Sequence, residues 1–245
     1  MSISLDRVAE VFDRTRGFPQ HVMNKILKTL KQELEGYRRI LDVGVGTGRF
    51  SRSLQDAGFE VVGVDVSKKF LGKAYERGTA DLILGDACSL PFQDSTFDAS
   101  LSVGTLHLIA EWKSALREIV RVTIESLFTV HYSTREYRTT PSGVYKELVE
   151  KHGYSCCHPG LGEWKLKAII KSTKSRFVTS YDVSTNERVA FLSAKVFSYQ
   201  WNVPEDLHEK AVEELRRIFA GKKEYAIDVY VHRLDINEIK NYLKS

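Results

Sequence analysis

The chain of 245 residues contains no run of 18 uninterrupted apolar residues, so no membrane span is expected. Its start, MSISLDRVAEVFDR, is charged from Asp6 onward and has no apolar core of the secretory kind, so no signal segment is expected. Cysteine is scarce: Cys88, Cys156 and Cys157 are the only three. An odd count with one adjacent pair makes no disulfide framework. No CxxC and no paired Cys/His spacing suggests a metal, so none is expected. A reducing, cytoplasmic setting fits this usage. Repeats, low-complexity tracts and long Gly/Pro/Ser linkers are absent as well, which argues for a single domain.

A strong charge bias is also missing. Thirty-six basic residues stand against 32 acidic ones, a net of +4. That is too little to indicate a nucleic-acid binder. The excess sits entirely in residues 133–245, where Lys165, Lys167, Lys171, Lys174 and Arg176 follow one another with no acid between them. Contact with an anionic partner and a plainly solvated helix face both account for such a stretch.

What is present is alternation. Val22, Ile26, Leu27, Leu30 and Leu34 recur at helical intervals over residues 20–35. Short apolar runs then alternate with helical patterns: strands at 39–43, 59–65, 81–84, 97–103 and 126–132, helices after 48, over 68–77 and over 112–122. This is the pattern of an α/β fold, a doubly wound, mostly parallel sheet with helices on both faces. The second half reads as a helix over 162–172, a strand over 176–183, helices over 185–198 and 204–220, and a final strand over 224–233. It should complete the sheet and insert two helices between its last two strands.

The chemistry gathers at the ends of the first three strands. Gly44, Gly46 and Gly48 alternate after the first. The dinucleotide fingerprint needs a further glycine three positions after its second, and Arg49 stands there instead. Alternating glycines still bring backbone close to a ligand at the switch point of a sheet. Asp65, 21 residues after Gly44, ends the second strand and is placed to accept from two ribose hydroxyls. Asp86, another 21 residues on, ends the third and suits an exocyclic amine such as that of adenine. A ligand with adenosine but no pyrophosphate would suit the three together.

In these stretches the chain resembles the class I S-adenosylmethionine-dependent methyltransferases. The resemblance lies in Ile40-Leu-Asp-Val-Gly-Val-Gly-Thr-Gly-Arg-Phe50, in Val62-Gly-Val-Asp-Val-Ser67, and in the segment from Gly85-Asp-Ala through Leu90-Pro-Phe to Phe97-Asp98. The last is similar to the ubiquinone- and menaquinone-biosynthesis type. The resemblance covers roughly residues 37–132 and implies a Rossmann-like fold with an antiparallel last strand and S-adenosylmethionine as cofactor. Residues 1–36 would be an N-terminal helical lid, 37–132 the cofactor core, and 133–245 the acceptor side with a helical insertion. It further implies that Asp42, Gly44, Gly46 and Gly48 cradle the methionine part, that Asp65 takes the ribose with Val66 beside the adenine, and that Asp86 and Ala87 meet the adenine edge. Val103 and Gly104 would lie near the methyl. One departure stands out: the Lys/Arg-Pro-Gly-Gly turn common before the fifth strand is replaced by Arg121-Val-Thr-Ile-Glu-Ser.

A sulfonium methyl is already electrophilic, so the protein mainly has to align an acceptor. No Asn/Asp-Pro-Pro-Tyr/Phe stretch of the amine-methylating nucleic-acid enzymes follows the fourth strand. His107 stands there, as a general base, an orienting group or a packing histidine. Phe12, Arg16 and Phe18 belong to the lid-like segment, and His131, Tyr132 and Arg135 lie at or just beyond the end of the fifth strand; all six are candidates for contact with the acceptor. The expected acceptor is a small molecule, with an RNA- or protein-directed enzyme and a non-catalytic cofactor-binding module as alternatives. Oligomeric state is not legible.

Overall fold

The computed structural model describes residues 3–134, 136–170, 173–220 and 224–244. Seven strands form one sheet in the order β3-β2-β1-β4-β5-β7-β6. The strands are β1 (Arg39–Val43), β2 (Glu60–Asp65), β3 (Leu82–Leu84), β4 (Phe97–Ser102), β5 (Thr123–Ser133), β6 (Lys174–Ser184) and β7 (Glu224–Asp235). The first five run parallel, and β7 is antiparallel to both β5 and β6. The chain winds outward from β1 to β3, then crosses back to lay β4 on the other side of β1. That reversal leaves a crevice at the carboxyl ends of β1 and β4, where open α/β sheets take ligands.

Helices cover both faces. They are α1 (Phe12–Arg16), α2 (Gln20–Glu33), α3 (Arg49–Gln55), α4 (Lys68–Glu76), α5 (Trp112–Val122), α6 (Pro141–Glu150), α7 (Glu163–Ile169), α8 (Thr185–Ser193), α9 (Glu205–Ile218) and α10 (Ile236–Lys244). The helical stripe seen in the sequence explains α2: Val22, Ile26 and Leu30 are fully buried against the sheet face carrying Phe128 and Val130. Each such burial is worth about 1.5–3 kcal/mol. The opposite face packs against α5, α7 and α10 through Leu116, Ile119, Leu166 and Ile239. A third core, under α6, α8 and α9, holds Tyr145, Leu192 and Leu215.

Several sequence expectations are corrected in detail. The helix expected over 185–198 ends at Ser193, because Lys195 turns left-handed at φ +49°. Its ammonium binds Val203 O at 3.0 Å, and its carbonyl accepts from Trp201 Nε1 at 2.9 Å. The basic stretch is not one helix face: Lys165 and Lys167 lie on α7, Lys174 and Arg176 on the edge strand β6, and Lys171 falls outside the described residues. Charges on an edge strand deter pairing with other chains. The missing turn before the fifth strand has a simple counterpart: α5 ends at Val122 and β5 begins at Thr123, with no loop between.

No helix among the described residues is long and apolar enough to cross a membrane. Nor do any of those residues form a group of three or more His, Cys, Asp or Glu suited to a metal.

Candidate active site

A cavity occupies the crevice. The loop Gly44–Thr47, Asp65–Ser67, Gly85–Ala87 and Val103–Thr105 line it, so the end of each of the first four strands contributes. The glycines are required by shape. Gly44 sits at φ +73°, and a Cβ there would fall 2.1 Å from Thr105 Oγ1. Asp42, just inside β1, is buried and accepts from Ser51 Oγ at 2.6 Å; burial pushes its carboxyl up to about 7.

Asp65 knits the crevice together. One carboxylate oxygen accepts from Gly46 N and the other from Ser67 N, each at 2.9 Å. Burial raises its pKa, and those two N–H groups oppose the rise. A carboxylate offers about four acceptor sites, so two remain for a diol. Asp86 accepts from Cys88 N at 2.8 Å. Val66, Ala87, Leu108 and Ile109 supply apolar lining between them. Arg49, the residue that breaks the dinucleotide fingerprint, also lines the cavity. The donor set therefore fits an adenosine bearing an amino-acid tail: acceptors for hydroxyls and amine, a flat apolar slot, and a guanidinium for a carboxylate.

The N-terminal segment is closed over this cavity. Ile3 N donates to Leu108 O at 2.9 Å, Ser67 Oγ donates to Asp6, and Asp13 accepts from Thr47 Oγ1 at 2.7 Å while pairing with Arg77. Asp13 also lies 3.4 Å from Arg49 Nε. Ile3, Ser4, Leu5 and Phe12 complete the cavity wall.

The other anticipated residues are distributed differently. Neither Arg16 nor Phe18 lines the cavity. The Arg16 guanidinium is 5.3 Å over the Phe12 ring, and Phe18 meets Tyr132 and Tyr181 edge-on. The His131 ring stacks on Tyr132 at 6.3 Å and on His232 at 5.9 Å. Arg135 lies outside the described residues.

His107 sits in the 3-10 turn Leu106–Leu108, with Cε1 3.9 Å from where a Cβ on Gly104 would be. Its Nδ1 is 3.7 Å from Glu163 Oε2. Sequence reasoning had not singled out Glu163. It is buried, and its Oε1 accepts from Thr105 N at 2.5 Å and Leu106 N at 2.8 Å. Burial alone would push this carboxyl up; His107 and the Thr105 N–H outweigh it and hold the pKa below the ordinary value. His158 lies edge-on to His107 at 4.6 Å, and its Nε2 is 2.9 Å from Ser198 Oγ. Burial, then His107, pushes His158 down to about 4. The Cys156-Cys157 pair before it is unbridged.

The fold is a Rossmann-like α/β fold with its crevice at the switch point of the sheet. Residues 41–126 match the family described as "Methyltransferase domain". The chain is 47% identical over 89 residues to a demethylmenaquinone methyltransferase of Renibacterium salmoninarum, covering 35% of this chain and 37% of that one. It is 43% identical over 90 residues to a malonyl-[acyl-carrier protein] O-methyltransferase of Erwinia pyrifoliae, covering 35% and 33%. The matches thus span about a third of these relatives' own length. Among solved structures, the YcgJ protein of Bacillus subtilis superimposes with a TM-score of 0.54 at 18% identity, over 88% of this chain and 98% of that one. At that identity the likeness speaks for the fold.

Proposed function

We propose that the chain is a single-domain S-adenosylmethionine-dependent methyltransferase acting on a small-molecule acceptor in the cytoplasm. The observation that carries this is the joint placement of Asp65, Asp86 and the Gly44–Thr47 loop around one cavity lined by the ends of four parallel strands. When bound, the cofactor supplies an electrophilic methyl on sulfur. The chain's own residues do the rest. Asp65 takes the ribose hydroxyls, Asp86 the adenine amine, and Val66 and Ala87 the faces and edge of the ring. Asp42 and the glycines hold the methionine portion, whose carboxylate faces Arg49. Val103 and Gly104 border the point of transfer.

His107 is the group beside that point with a proton to move or a hydrogen bond to give. Glu163 fixes its turn through the Thr105 and Leu106 N–H groups and faces its Nδ1. The second nitrogen is left toward the acceptor side, as a base or an orienting donor. The closed N-terminal segment excludes water from the transfer. The relatives named for a quinone precursor and a carrier-bound acyl group support a small acceptor. The segment lying across the crevice supports the same reading.

Methyl-tritiated S-adenosylmethionine tests this directly. Incubated with the protein and a small-molecule extract, it should label an organic-soluble or low-mass product. Label entering only RNA or protein would move the acceptor class, and a steep fall of RNA affinity with salt would accompany that result.

A further inference from the structure

Two arginines lie side by side at Phe197, in a part of the molecule that the cofactor does not need. Arg16 comes from α1 and Arg188 from α8, 172 positions apart, and each guanidinium lies 5.2 Å over the ring of Phe197. Arg16 Nη2 donates to Val196 O at 2.9 Å, but Arg16 Nη1 and Arg188 Nε are buried with no hydrogen-bond partner. Among the described residues neither guanidinium is ion-paired. Arg49 by contrast faces Asp13, Arg121 binds Glu118 and Asp94, and Arg233, which has no ion pair among the described residues, donates to Ser126 Oγ and Tyr37 Oη. Two like charges brought together out of water without a counter-ion are costly. A fold keeps such an arrangement when a ligand supplies the missing negative charge.

The surroundings say what else that ligand carries. Tyr132 and Tyr199 lie within electrostatic reach of both arginines, and Tyr225 within reach of Arg188. Phe18, Tyr132 and Tyr181 pack edge to edge beside them. Tyr132 and Tyr137 remain 59% and 44% exposed, so the cluster has an open rim. It also reaches the point of transfer on two sides. Phe12 is common to this cluster and the cofactor cavity, and Tyr199 meets His158, which meets His107.

We propose that Arg16 and Arg188 bind an oxyanion on the methyl acceptor, a carboxylate or a phosphate, with the acceptor's apolar body held among Phe18, Tyr132, Tyr181 and Tyr199. This rests on the methyl-transfer reading. Planar guanidinium forks match both oxyanions bidentately, and the aromatic rings give the apolar part a rigid wall.

The test is calorimetry of the full chain, with and without saturating S-adenosylhomocysteine, using benzoate, phenyl phosphate and the neutral benzamide as probes. At least one anion should bind, and benzamide should bind tenfold or more weakly. Benzoate and phenyl phosphate distinguish the two oxyanions. Arg188→Gln should weaken the anion by about 10- to 100-fold and leave S-adenosylhomocysteine affinity unchanged; Arg188→Lys, which keeps the charge without the fork, should fall between. Arg188→Leu should lose the anion while keeping or raising the Tm of the empty protein, whereas a merely structural arginine would lower it. Benzamide binding as well as both anions, no anion binding at all, or Arg188→Gln leaving the anion's affinity intact would overturn the proposal. Anion binding in a protein that ignores S-adenosylhomocysteine would instead preserve the arginine site and remove its methyl-transfer context.

Discussion

Glu163 Oε2 lies 3.7 Å from His107 Nδ1, while Oε1 of the same buried carboxylate holds the N–H groups of Thr105 and Leu106. One side chain from α7 thus fixes both the loop after β4 and the histidine on it. Glu163→Gln keeps an oxygen for the two amides but removes the charge facing His107. We expect a Tm several degrees lower, faster hydrogen exchange at Thr105 and Leu106, and methyl transfer reduced at least tenfold, with S-adenosylhomocysteine affinity changed less than threefold. Unaltered exchange and turnover would remove Glu163 from the site. Separately, His107→Ala with unchanged turnover across pH would end the base assignment.

Two glycines with positive φ make a controlled comparison. Gly44→Ala places a Cβ 2.1 Å from Thr105 Oγ1, whereas Gly36 at φ +90° has nothing within 4 Å. Gly36→Ala should cost about 1 kcal/mol of stability from backbone strain alone. Gly44→Ala should cost at least twice that and displace the cavity loop, abolishing cofactor binding. Urea unfolding of the two variants measures the difference; equal costs would mean that Thr105 yields freely.

The N-terminal segment is held by Asp13, which reaches Thr47 and Arg77 at once. Asp13→Ala should leave the fold intact but open the segment. Limited proteolysis near residues 3–18 should accelerate, S-adenosylhomocysteine should dissociate faster, and saturating ligand should restore protection. Unchanged cleavage would show that the closure does not depend on this carboxylate.

Acid should destabilise the protein through its buried histidines. Burial pushes His131, His158 and His232 down to about 4, below the ordinary histidine value near 6.5. The unfolded chain therefore binds protons that the folded chain refuses. The contribution of these groups is fully present above about pH 6.5 and is lost progressively as pH falls toward 4. Asp42 acts in the opposite sense. Its carboxyl is raised to about 7, so the ionised form costs stability as pH rises from about 4 to 7. Thermal melts across pH 4–8 should show Asp42→Asn stabilised relative to the parent chiefly at the upper end. A constant difference across that range would contradict this origin.

The crevice was legible because its parts are local. Three strand ends at intervals of 21 residues carry Gly44, Asp65 and Asp86, and the parallel sheet brings any three such ends together. Acceptor-side groups were harder to read. Glu163 gains its meaning from Thr105, 58 positions away, and Arg188 from Arg16, 172 positions away; neither pairing leaves a periodic trace. The helix Pro141–Glu150 was overlooked although its start was marked, with Thr140 as N-cap accepting from Gly143 N and proline in the first turn.

If Asp65 and the glycine loop hold the adenosine of S-adenosylmethionine, isothermal calorimetry with S-adenosylhomocysteine reads it. The parent protein should bind one equivalent. Asp65→Ala, which removes both ribose acceptors and the tie to Gly46, should bind at least 30-fold more weakly. A parent protein that binds no S-adenosylhomocysteine, or an Asp65→Ala variant that binds it as tightly as the parent, would remove Asp65 from the adenosine site.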